Sequence, residues 1–214
     1  MVAGASEGLG AAFAMELAAR GLNLVLVARR PDPLAALAAR LPTLTRTVVA
    51  DLGTDEGIEA AGVAGAGVEL GLVVANAAYS PIGRFVDMVP DQWRRALMVN
   101  CHAPLELAHR FLPGMVARCS GGFVVMSSLA GMQGSPPITV YAATKAFGAI
   151  LAEGLWAELR GSGVDVVTCV AGAVETPGLA ETKARRAPGT LTPDQVVTAA
   201  LNGLGRGPRA IPGL

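Results

Sequence analysis

The sequence predicts an α/β fold, a doubly wound parallel sheet with helices on both faces, and three observations predict it. Short apolar runs alternate with longer segments of helical periodicity along the chain. The run Leu22 to Ala28 is apolar at successive positions, broken only by Asn23, as a strand buried on both faces is. A glycine-rich turn stands between the first short run and the first helical segment. Strands separated by long helices require right-handed crossovers, which stack helices on either side of one parallel sheet.

The elements follow in order. Met1-Val2-Ala3 is a strand that runs into the glycine turn, and Leu9 to Arg20 is an Ala-rich helix stopped at Gly21. After the Leu22 to Ala28 strand, Pro33 to Leu41 is helical, Arg46 to Ala50 a strand, and Thr54 to Ala64 a weak helix interrupted by glycines. Val68 to Ala75 is a buried strand. Pro90 to Ala117 is one long helix with Asp91 in its first turn and a bend expected near Pro104. Gly122 to Ser127 is a strand, Val140 to Leu159 a helix, and Val164 to Val170 a strand. A loop over about 177–193 leads into a last helix, Pro193 to Leu204. A seventh strand is expected to begin or end near Ile211 to Leu214, and with only two residues before Ala3 both ends are short for such a sheet.

Composition bounds the rest. A chain of 214 residues suits one domain, 1–214. Hydrophobic residues make up 52% and mean hydropathy is +0.48, enough for a packed core. Aromatics are only 4%, so Ala, Val and Leu must build that core in thin, closely packed layers. Net charge is zero without a basic run, which leaves nucleic acid little to hold. Cys101, Cys119 and Cys169 show neither metal-site spacing nor an even count and read as reduced thiols. Apolar stretches such as Leu70 to Ala78 are shorter than the roughly 20 residues a membrane span needs, and no secretory leader opens the chain. A cytoplasmic protein without a membrane span is expected.

Sheets of this kind bind ligands beyond the carboxyl ends of their strands, so residues there carry the chemistry. Gly4-Ala5-Ser6-Glu7-Gly8-Leu9-Gly10 joins a strand to a helix N-terminus, where free N–H groups and the positive dipole end suit a pyrophosphate. Dinucleotide sites for NAD place an acid at the end of the second strand to hold the ribose 2′-hydroxyl. Here Ala28-Arg29-Arg30 stands instead, and a guanidinium clamps a 2′-phosphate that a carboxylate would repel. NADP(H) is therefore expected over NAD, with Asp32 the one acid that favours NAD.

Tyr141 and Lys145, four apart at a helix start, share one face about 6 Å apart along the axis. A tyrosine of ordinary pKa near 10 is only about 0.1% phenolate at neutral pH. An adjacent ammonium favours the phenolate, so Tyr141 beside Lys145 is expected to have a lowered pKa and to serve as a general acid/base. Ser128, at the end of the Val124 to Ser128 run, offers a hydrogen bond to a substrate oxygen. Asn100, inside the long helix, is expected to hold its bend or a water leading protons to Lys145.

Together, Gly4/Gly8/Gly10, Asn76-Ala77-Ala78, Asn100, Ser128, Tyr141 with Lys145, and Gly172-Ala173-Val174-Glu175-Thr176 resemble the short-chain dehydrogenase/reductase family, in family order over nearly the whole chain. The resemblance, with a lean to the ketoacyl reductase and hydroxysteroid dehydrogenase-like branch, implies a Rossmann-type domain that interconverts a secondary alcohol and a ketone with NADPH. It implies Asn100, Ser128, Tyr141 and Lys145 as catalytic residues. For cofactor binding it implies Gly4, Ser6, Gly8, Leu9, Gly10, Arg29 and Arg30 at the phosphates, Asp51 and Leu52 at the adenine, and Asn76 and Ala77 at the ribose. Tyr141 and Lys145 would also meet the nicotinamide half, as would Gly172, Val174 and Thr176, and no metal is implied. Relatives pair through the helices holding Asn100 and Lys145, so a homodimer or homotetramer is expected. Leu97, Leu105, Phe147, Leu151 and Leu155 suit either that face or contact with the sheet. The sequence departs from the family at Ala3 (usually Thr), Ala78 (usually Gly) and Ala171 (usually Pro).

The substrate wall is read as apolar, from Leu129, Met132, Pro136, Pro137, Val140 and Leu179, with Glu181, Lys183, Arg185 and Arg186 above it. The competing reading is a non-catalytic NADP-binding redox sensor or partner subunit, which the intact Asn-Ser-Tyr-Lys set disfavours.

Overall fold

The computed structural model describes residues 1–177 and 189–213. Leu179, Glu181, Lys183, Arg185 and Arg186 lie outside the described residues. Among those described, one sheet of seven strands forms: β1 (Val2–Ala3), β2 (Leu24–Ala28), β3 (Thr45–Val49), β4 (Leu72–Ala75), β5 (Gly121–Ser128), β6 (Val164–Ala171) and β7 (Arg209–Ala210). Its order is β3-β2-β1-β4-β5-β6-β7 and every pairing is parallel. The chain runs outward from β1 toward β3, then returns to β4 on β1's other side, so the direction of winding reverses between β1 and β4.

The side chains of each strand alternate between two apolar layers. Val2, Leu26, Val74, Val124 and Val167 face α1 (Gly8–Ala19), α2 (Pro31–Ala38) and α7 (Pro193–Gly203), where Phe13, Leu34 and Val196 are fully buried. Ala3, Val27, Val73, Phe123 and Val166 face α3 (Asp55–Ala66), α5 (Ala103–Ala117) and α6 (Thr139–Glu158), where Leu107, Met115 and Ala152 are buried. The fold class and the Ala/Val/Leu core are as the sequence predicts. No described helix is long and apolar enough to cross a membrane.

The sequence reading misplaces some boundaries. Pairing with β3 begins only at Leu24, so Leu22 and Asn23 belong to the turn. β4 begins at Leu72 instead of Val68. α2 starts at Pro31, because proline is well suited to a first helical turn where its missing N–H goes unused. α3 is firmer than its glycines suggest, since the Thr54 side chain accepts from Gly57 N and caps it. The predicted long helix is three segments: α4 (Pro90–Leu97), one π-helical turn over Met98–His102, and α5. The irregularity therefore centres on Asn100 and precedes Pro104. β7 pairs with Thr168 and Cys169 a few residues earlier than the end expected from the sequence.

The glycine turn is locked by close backbone approaches. Gly4 has φ +86°, and a Cβ on it would fall 2.6 Å from Ala77 Cα. A Cβ on Gly10 would fall 1.9 Å from Gly4 O and 2.8 Å from Asn76 Nδ2. Gly10→Ala must push α1 away from the end of β1, and the expected cost is about 3 kcal/mol. Urea denaturation reads this as a lower midpoint at unchanged slope; a midpoint equal to the parent's would show that the turn tolerates a side chain.

Candidate active site

The carboxyl ends of β1, β2, β3 and β4 border an open cleft of about 180 Å³ lined by Gly4, Ser6, Arg29, Asp51, Leu52, Asn76 and Ala77 among others. The turn from β1 is held over it by ladder continuations: Gly4 N and Ala5 N donate to Val27 O, and Ala77 N donates to Ala3 O. Asn76 Nδ2 donates to Gly4 O at 2.8 Å, so the amide fixes the loop that would face a phosphate. α1 has no side-chain cap at Glu7 and no acid in its first turn, which leaves its N-terminal amides open to an anion. Gly8, Leu9 and Gly10 form that first turn. Leu9 packs its side chain against the core, so only its backbone is available to a ligand.

The two arginines after β2 are not equivalent. Arg30 pairs with Glu7 at 2.6 Å across the cleft rim. Arg29 lines the cleft and makes no ion pair among the described residues. Of the two arginines expected at a phosphate, Arg30 is thus already paired and Arg29, among the described residues, is not.

The second half of the site lies at the end of β5. Ser127 is buried and its Oγ donates to Lys145 O at 2.7 Å, which anchors α6 to the strand. That contact brings Ser128, Tyr141 and Lys145 to one place. Ser128 Oγ accepts from Ala130 N at 3.2 Å and stands near enough to the Tyr141 phenol to favour its ionised form. The Lys145 ammonium is buried, donates to Met126 O at 2.7 Å and lies 5.6 Å from the Tyr141 ring centre. Burial lowers the lysine pKa to about 8.

One expectation is corrected here. Burial pushes the Tyr141 phenol up from its ordinary value, and the neighbouring Ser128 hydroxyl only partly offsets that. Lys145 is not among the groups that shift the phenol, and its ammonium hydrogen-bonds to the Met126 carbonyl. Asn100, expected to hold a bend or a water, sits in the π-helical turn that interrupts the long helix, and its amide bonds within the protein. Nδ2 donates to Tyr79 O at 2.8 Å and to Thr144 Oγ1 at 2.9 Å, while Oδ1 accepts from Tyr79 N at 2.8 Å. The π-turn points this side chain inward, and the amide ties the loop after β4 to α6.

Beyond β6, Gly172 is partly exposed, Val174 is buried and bridges to Leu191, and the Thr176 side chain faces Gly8, where a Cβ would come within 3.2 Å of it. The stretch from Gly172 to Thr176 thus closes over the glycine turn. Sequence reasoning missed Arg95 and Tyr79, which line the cleft with Asp51, and also Thr144 and Ser127. Thr144 was within reach, since it sits beside Lys145 in the motif already singled out. Arg95 carries no signal without the tertiary structure.

Comparison with known proteins bears on this geometry. The family model described as short chain dehydrogenase matches residues 1–187. A very-long-chain 3-oxoacyl-CoA reductase of Anas platyrhynchos is 35% identical over 176 residues, 78% of this chain and 56% of that protein. The chain thus spans little more than half of that relative. A 7beta-hydroxysteroid dehydrogenase of Collinsella aerofaciens is 30% identical over 96% of this chain and 82% of its own. Among solved structures, a short-chain dehydrogenase from Sphingobium yanoikuyae in complex with NADPH superposes with a TM-score of 0.92 at 32% identity, covering 100% of this chain and 87% of that one. By its sequence motifs, its sheet order and these matches, the chain belongs to the short-chain dehydrogenase/reductase family.

Proposed function

We propose that the protein interconverts a secondary alcohol and a ketone on a mostly apolar substrate, using NADP(H). The observation that carries this is the convergence of Ser128, Tyr141 and Lys145 at the end of β5, on the same sheet edge as the glycine-turn cleft. The chemistry of the cleft supports a phosphorylated dinucleotide, although Glu7 and Asp51 also line it. Its donors are the uncapped amides of α1 and the unpaired guanidinium of Arg29, a set suited to anions. When bound, the nicotinamide supplies or accepts a hydride.

The residues of the chain do the rest. Ser128 donates a hydrogen bond to the substrate oxygen and orients it toward Tyr141. The Tyr141 phenol gives its proton to that oxygen during reduction and takes it back during oxidation. The Lys145 charge favours the phenolate, and hydroxyls of a nicotinamide ribose would be suitable acceptors for its remaining N–H groups. Asn100 positions α6 through Thr144 and shapes the loop through Tyr79. Leu129 and Met132, both about half exposed after β5, offer an apolar surface at the mouth. The relatives named for 3-oxoacyl-CoA and hydroxysteroid substrates support an acyl chain or fused ring there. The exposed Leu97, Leu105 and Phe147 support pairing of copies through the outer faces of α4 to α6.

Tyr141→Phe is expected to lower turnover of apolar ketones by about 10²-fold or more while NADPH affinity stays unchanged. Absorbance of the reduced nicotinamide reads the first and fluorescence titration the second. A variant that keeps full turnover would favour the non-catalytic sensor. The parent should bind NADPH more tightly than NADH; Arg29→Ala should erase that preference, and Arg30→Ala should keep it because Arg30 is already paired with Glu7. Equal affinity of the parent for both cofactors would overturn the NADP reading.

A further inference from the structure

Asp51 and Arg29 occupy neighbouring strand ends. β2 and β3 run parallel with Ala28 opposite Val49, and Ala50 N donates to Ala28 O at 3.0 Å. The next residues, Arg29 on one strand and Asp51 on the other, both line the cleft. A free carboxylate at this point conflicts with 2′-phosphate recognition in two ways: it repels the phosphate and it competes for the guanidinium.

The carboxylate is not free. Arg95, projecting from α4, donates from Nη2 to Asp51 Oδ1 at 2.8 Å and to Oδ2 at 2.7 Å. Gly53 N donates to Oδ1 at 2.9 Å. The guanidinium also lies 5.7 Å from the centre of the Tyr79 ring, which walls the same cleft. Space for this clamp is built into the loop before α3. A Cβ on Gly53 would fall 3.2 Å from the Arg95 guanidinium carbon, and one on Gly57 would fall 2.0 Å from Asp51 O. Burial opposes ionisation of Asp51, yet the Arg95 hydrogen bond, the Gly53 amide and the charges of Arg95 and Arg29 together hold its carboxyl below the ordinary value.

We propose that Arg95 is a specificity-determining positioning residue: by pairing with Asp51 it cancels the carboxylate beside Arg29 and keeps Arg29 available to the 2′-phosphate of NADP(H). The proposal rests on the NADP reading above. Arg95 acts through Asp51 and need not touch the phosphate. Asp51 retains lone pairs for the adenine end while its charge is neutralised.

The test is a double-mutant cycle read by dissociation constants for NADPH and NADH, and for 2′,5′-ADP and 5′-AMP as fragments without the nicotinamide. Arg95→Leu is expected to lower the NADPH-over-NADH preference about tenfold, a size typical of one unscreened charge at intermediate dielectric. Arg95→Gln, which keeps a hydrogen bond to Asp51 without the charge, should shift it in the same direction and guards against misfolding of the leucine variant. Adding Asp51→Asn to Arg95→Leu should return the preference to the parent's. Equal weakening of both cofactors would mark Arg95 as merely structural. Failure of the double variant to recover would mean that Arg95 meets the phosphate itself. Either result overturns the proposal. If the parent shows no preference, or Arg29→Ala leaves it unchanged, the NADP reading fails and the proposal with it. A parent preference that depends on Arg29 but ignores Arg95 overturns the proposal alone.

Discussion

The parallel pairing of β1 with both β2 and β4 is the constraint on which the site depends. It is a short strand, two residues long, yet its register sets Ala3 opposite Val27 on one side and Ala75 on the other. The backbone groups that follow in register continue the ladder into the turn, so Gly4, Ala5 and Ala77 are held by hydrogen bonds to Val27 O and Ala3 O. Because all neighbours are parallel, their carboxyl ends lie on one edge, and each delivers one part of the site there. Any slip of β1 would carry the glycine turn away from Asn76 and Arg29 together.

A second principle organises the polar interior. Buried polar groups are costly unless hydrogen-bonded, and the buried ones here bind the layers together. Ser127 links β5 to the backbone of α6, Lys145 returns a bond to Met126 O, and Asn100 joins the loop after β4 to Thr144. These bonds fix α6 against the strand that carries Ser128. The same burial raises the tyrosine pKa and lowers that of the lysine. The helical spacing of Tyr141 and Lys145 brings the two side chains together but does not decide where the ammonium points. A backbone carbonyl from a different element decides that.

Much of this was legible in the sequence, and the reasons differ by element. The strands β2, β5 and β6 were legible because burial on both faces demands continuous apolar runs. Helix ends were less so: Pro31 and the Thr54 cap act through backbone groups that periodicity does not register. The π-turn escaped notice because it leaves no break in the apolar pattern, and Pro104 drew attention to the wrong residue. At the site, Gly4, Gly10, Ser128, Tyr141 and Lys145 were readable because their spacing is local and their chemistry is specific. Arg95 was invisible, since a charged residue on a predicted amphipathic helix reads as solvated until its partner 44 residues away is in view.

By itself the sequence determined the class of fold, the position of the glycine turn and the spacing of Tyr141 and Lys145, because each follows from short-range periodicity or a fixed interval. The tertiary structure alone decided which of two adjacent arginines is unpaired among the described residues, which carbonyl holds the buried ammonium, and which distant guanidinium pairs with Asp51. Those are questions of charge and hydrogen bonding between elements remote in the chain, and only the packing of parallel strands and their crossovers sets such distances.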